Sequence, residues 1–167
     1  MADSSSYPLG LLLGTLDRAY DHKSWHGTNL KGSIRLIKAE LAAWRPAPGR
    51  HNIWEYTLHA AYWKYVVRRK ITGEPRGSFS FDGSNFFPRP EPGRASESAW
   101  KADRKLLDEQ HRLLREAVAG LTAKDLGREV EGSKFSLVEL ITGAAAHDLY
   151  HAGQIQLIKR LAKDAST

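Results

Sequence analysis

The stretch Ser136-Leu137-Val138-Glu139-Leu140-Ile141-Thr142-Gly143-Ala144-Ala145-Ala146-His147-Asp148-Leu149-Tyr150-His151-Ala152-Gly153-Gln154-Ile155 decides the fold. It opens on a capping box, in which Ser136 and Glu139 satisfy each other's free backbone N–H groups, and so marks a helix start. Leu137, Ile141, Ala144, Ile155 and Ile158 follow at helical spacing, and His147 and His151 continue the same apolar stripe four residues apart. Both imidazoles should therefore point into the core. A helical pair of this kind can grip a metal from one side, leaving the remaining positions to another element. The spacing alone fits two satisfied core or interface histidines equally well.

Upstream, three more amphipathic segments and a short one are expected. A short helix covers about Leu9 to Tyr20, weakened by Gly10 and Gly14. The first long helix is expected after Gly27-Thr28, with Leu30, Ile34, Ile37, Leu41 and Trp44 as one continuous stripe that Pro46 stops. A second starts at the N-cap Asn52, with Glu55 three residues on, runs through Ile53, Tyr56, Ala60, Trp63 and Val67, and ends near Gly73. These two should be antiparallel neighbours. A third covers about Ser96 to Leu121, and the stretch quoted above begins the fourth. With no convincing strand and no internal repeat, the expectation is an all-α four-helix bundle in one domain, 1–167, with a long connection between its second and third helices.

That connection, Glu74 to Ala95, is rich in Gly, Pro and Ser yet carries Phe79, Phe81, Phe86 and Phe87. Long loops inside compact domains are uncommon and often functional. The loop is expected to fold back over the metal end of the bundle, with Phe86 and Phe87 as its anchors; the alternative is that these rings cap the bundle's apolar end or meet a second subunit.

Composition bounds the chemistry. At 167 residues the chain can bury a core without staples, so a metal would serve chemistry more than stability. The 41% hydrophobic and 26% charged content is that of a globular protein, and no apolar run reaches a membrane span. Asp3 and the lack of Lys or Arg before Leu9 argue against a signal peptide, and a cytoplasmic protein is the expectation. The absence of cysteine removes disulfides, thiolate ligands and a cysteine nucleophile, leaving His, carboxylate and water for any metal. The net charge of +6 could favour an anionic partner. Its basic residues are scattered, however, and Arg68-Arg69-Lys70 suits a helix C-terminus, so nucleic acid is not the expected partner.

A third metal ligand would come from a facing helix, and His59 sits mid-helix among Leu58, Ala60 and Ala61, where a buried imidazole needs a partner. His22 and His51 lie in loop-like sequence, His51 reading as a cap or surface residue. His111 is flanked by Gln110 and Arg112, and His26 precedes the expected first long helix, fixing the chain entry or approaching the site. Near the pair, Gln154 could bond a ligand histidine or a neighbouring helix. Asp148 and Glu55 could orient a histidine or pair with a base, and Tyr150 points away into an interface.

The segment Asn52-Ile53-Trp54-Glu55 through Leu58-His59 to Tyr62-Trp63, joined with His147 to Ile155, resembles the DinB-like family of helical bundles, which includes the YfiT-type proteins. Trp25-His26-Gly27 and Gly83-Ser84-Asn85-Phe86 fit the same pattern. The resemblance implies a divalent metal ion held by one histidine of the second helix and two of the last, falling here on His59, His147 and His151. Three imidazoles accept zinc, nickel, iron, manganese or copper. Relatives that conjugate or use a low-molecular-weight thiol imply a metal-dependent enzyme acting on a small molecule, by thiol transfer or hydrolysis; the alternative is a non-catalytic metal- or ligand-binding protein. A homodimer is expected, with five tryptophans leaving room for an interface.

Overall fold

A computed structural model describes residues 7–165; the two ends of the expected domain, Asp3 among them, lie outside the described residues. The described chain is helical: α1 Tyr7–Tyr20, α2 Leu30–Ser33, α3 Ala39–Ala43, α4 Ile53–Thr72, α5 Glu97–Ala119 and α6 Leu137–Asp164, with a short 3-10 turn at Ala123–Asp125. Among the described residues the only β feature is an isolated bridge between Glu129 and Ser136.

Four long helices form the bundle, α4 packing on α5 and α6, and α1 closing the ring against α6 and α5. The capping boxes expected at Asn52/Glu55 and Ser136/Glu139 are both formed, and α4 ends on Gly73 with a left-handed φ of 76°, which a glycine adopts without steric cost.

The expected first long helix is not there. Residues 30–44 form two short helices, and α1 takes the fourth place in the bundle instead. Gly32 weakens the helix locally, and Leu36 turns the chain at a φ of 63°. The break is then held by tertiary bonds. The Trp100 indole donates to the Ile37 carbonyl at 2.8 Å, and the Ala39 N–H donates to the Glu97 carboxylate at 2.9 Å. Leu30, Ile34 and Ile37 are nevertheless buried, so the apolar spacing reported burial correctly and helix continuity wrongly. Of the two short pieces, α3 packs on α4 as expected and α2 on α6.

The core has two apolar clusters, one centred on Trp54, Leu58, Trp100 and Leu107, the other on Leu16, Leu114, Leu137 and Ile141. Buried polar groups sit at the level of Tyr20, the last residue of α1, and of Lys64, His111 and Asp148 in the middle stretches of α4, α5 and α6. The histidines occupy that same level of α4 and α6.

Candidate metal centre

His59 is delivered by α4, and His147 and His151 by one face of α6. The Nε2 of His147 lies 3.0 Å from that of His59 and 2.9 Å from that of His151. One nitrogen from each ring lies within 4.8 Å of the others, a grouping that could hold a metal ion. Two nitrogens about 2.0–2.1 Å from a common ion, at right to tetrahedral angles, stand about 2.8–3.4 Å apart. Both observed separations fall in that range.

The proton inventory sharpens the geometry. His59 Nδ1 faces the Asn85 carbonyl at 2.9 Å, which only accepts, so Nδ1 carries the proton and Nε2 a lone pair. His151 Nδ1 faces Gln154 Oε1 at 2.6 Å with the same consequence. His147 Nε2 thus has at most one hydrogen for two lone pairs. Burial, the main cause, pushes the His59 ring down to about 4 and the His147 ring to about 3, and it lowers His151 as well. Neighbouring histidine charges add to the shift at His59 and His147. The three rings are therefore neutral donors at neutral pH, and a divalent cation would engage all three lone pairs where a shared proton cannot.

Supporting groups come from two directions. Phe86 is sandwiched between His59, at 4.1 Å, and His51, at 3.6 Å, with near-parallel rings. His51 is in turn hydrogen-bonded to Glu55 at 2.8 Å, and Glu55 pairs with Arg45, so His51 buttresses the site rather than merely capping the helix. Tyr56 stands 5.1 Å from His151, ring to ring.

The loop thus does reach the centre, through Asn85 and Phe86. Phe87 does not: it is buried with Tyr62, Phe79 and Phe81 in the core beside α4, so only one of the two expected anchors touches the site. Gln154 bonds His151, one of the three candidate ligands. Asp148 turns the other way and pairs with Lys64, and Glu55 contacts Arg45 and His51 rather than His59. His26 is exposed and bonded to Ser24, His22 to Asp21, and His111 stacks on Tyr20 away from the cluster. Tyr150 is 65% exposed, with its ring edge against His151.

The sequence reading gave Asn85 and Trp63 no role at the site and did not single out Lys64. Asn85 carries a φ of 69°, which asparagine tolerates better than most residues, and its neighbour Gly83 is also left-handed. A Gly-x-Asn step inside an aromatic loop is the signal that pointed there. Lys64 was legible as a lone lysine within the apolar run Ala60 to Val67.

The sequence pattern of the DinB superfamily matches residues 24–155, and so spans all three histidines. The chain belongs to the DinB superfamily. The match begins after α1, so the superfamily pattern covers α2 to most of α6. No curated protein and no solved structure matches the chain. This DinB superfamily chain has, among its described residues, no helix long and apolar enough to cross a membrane.

Proposed function

We propose that His59, His147 and His151 hold one divalent metal ion, and that the protein is a metal-dependent enzyme acting on a small molecule. The reaction class is transfer of a low-molecular-weight thiol, in which sulfur loses its proton to solvent, bonds an electrophilic carbon and displaces a leaving group with its electron pair, or the corresponding hydrolysis. The observation that supports it most is the convergence of three Nε2 atoms with too few protons to satisfy them. Bound there, a divalent ion supplies open positions and a positive charge that lower the pKa of a thiol or water.

The chain's own part is positional. Three neutral ligands leave the ion's charge undiminished, and the Asn85 carbonyl and Gln154 amide fix the tautomers and planes of two of the rings. Phe86 and its loop shield the His59 side from water. The test is a screen of several small thiols with an electrophile, using metal-loaded wild type and His147→Ala. Turnover in the wild type alone is expected. Metal-loaded wild type without turnover on thiol or hydrolytic substrates would support the non-catalytic binder instead.

Two further readings belong here. Both apolar clusters draw on α1, α4, α5 and α6, which supports one domain across the chain. The expected homodimer would use the outer face of α6, where Tyr150, Leu157 and Leu161 are exposed; sedimentation would then return twice the 18.7 kDa chain mass.

A further inference from the structure

Next to the histidine cluster, between α4 and the first half of α6, lies a cavity of about 530 Å³ walled by Trp63, Val67, Phe135, Leu140, Ala144 and His147. Its volume is that of a small-molecule site. His147 belongs to both places: its Nε2 meets the other two histidines while its ring forms part of the cavity wall.

Most of the cavity's polar groups are already engaged. Two charged side chains border it, Glu139 and Lys64. The Glu139 carboxylate accepts from the Ser136 N–H and hydroxyl, and the Lys64 ammonium donates to Asp148. The Thr142 hydroxyl, also on the border, donates to the Val138 carbonyl. An anionic ligand would find no free counter-charge here, because Lys64 is paired with Asp148 and the solvent-exposed Glu139 is itself an anion, and a polar ligand would find few open partners. Apolar surface, in contrast, is on offer. Trp63 and Phe135 are 39% and 56% exposed, and exposed apolar surface gathered in one concavity marks a contact site.

The cavity is also built, not incidental. The Trp63 indole is held by donation to Asn85 Oδ1 at 3.0 Å, and the carbonyl of that same residue fixes His59. One loop residue thus sets both a cavity wall and a member of the cluster. On the α6 side Gly143 leaves room, since a Cβ built there meets no atom within 4 Å.

We propose that this cavity seats the apolar part of an uncharged small substrate, an aryl or alkyl electrophile, so that its reacting carbon is presented beside His147. The proposal rests on the metal-centre reading above and names the substrate class for it. Equilibrium dialysis of the metal-loaded full chain against 2-naphthol, neutral at pH 7, and 2-naphthoate, an anion of similar shape, tests it. Naphthol should bind at least tenfold more tightly than naphthoate, although a chain of charge +6 would by itself favour the anion. Gly143→Leu, and Ala146→Met as a second filling variant, should each weaken naphthol binding at least tenfold while leaving helicity and metal per chain unchanged.

Naphthol binding indifferent to both variants, or naphthoate binding the tighter, overturns the cavity assignment and leaves the metal reading standing. Variant-sensitive naphthol binding by a protein that takes up no metal overturns the metal reading, and the substrate assignment with it. A dimer that Gly143→Leu disrupts, with no naphthol binding, gives the cavity to a second copy and also overturns the proposal.

Discussion

On α6, Asp148 and the histidines that flank it face two different buried clusters. Asp148 meets Lys64 of α4, both 1% exposed, with the ammonium also above the Tyr20 ring. There the chain supplies opposite charges to each other. Burial raises the Asp148 carboxyl while Lys64 holds it down, and the pair is complete in charge even though Asp148 Oδ1 and the nearby His111 Nδ1 accept no hydrogen bond. At His59, His147 and His151 the chain brings together three groups of the same kind, all neutral, with at most one hydrogen among the three nitrogens at their meeting point. A cluster that closes on itself is architecture, whereas a cluster that lacks its complement is a site. The contrast separates two buried polar groups that sequence inspection would treat alike.

The largest effect should come from breaking the closed cluster. Lys64→Ala leaves a buried carboxylate uncompensated and should cost about 3–5 kcal/mol, read from urea denaturation. Replacing both partners, as Lys64→Met with Asp148→Leu, should restore most of that stability or exceed it. A single variant as stable as wild type would mean that the pair is not what closes this layer.

Acid should act on both clusters. The rings of His59, His147 and His111 are held down to about 4, 3 and 2, so between those values and the ordinary 6.5 the unfolded chain binds more protons than the folded one. Stability is then complete above about pH 6.5 and falls as the pH drops toward the folded values. The urea midpoint of metal-free protein should be clearly lower at pH 5 than at pH 7.5; an unchanged midpoint would contradict neutral burial of these rings.

A smaller effect is expected one step from the ligands. Gln154→Ala removes the acceptor that orients His151 and should weaken metal affinity about 10–100-fold with little change in stability. At the small end, His26→Ala touches an exposed ring bonded only to Ser24 and should stay within about 0.5 kcal/mol, with metal content unchanged.

How much of this was legible follows from the range of each interaction. The capping boxes, the ends of α4 and the shared face of His147 and His151 depend on residues a turn apart, and all were readable. His59 was readable as a buried polar residue in an apolar run. The break at Leu36 was not, because it is held by Trp100 and Glu97, some 60 positions away, and periodicity carries no record of such partners. The separation of Phe86 from Phe87 was likewise hidden, since adjacent loop residues carry no period that says which one turns to the site. Asp148 was singled out and Lys64 was not, and nothing local says that they pair with each other rather than with the histidines.

The most direct test of the central claim is titration of the metal-free full chain with zinc at pH 7.5, wild type beside His147→Ala, with circular dichroism on both. The account predicts one ion per chain for the wild type, none for the variant, and the same helicity in each. Zinc uptake that is absent from the wild type, or equal in the two proteins, would contradict it.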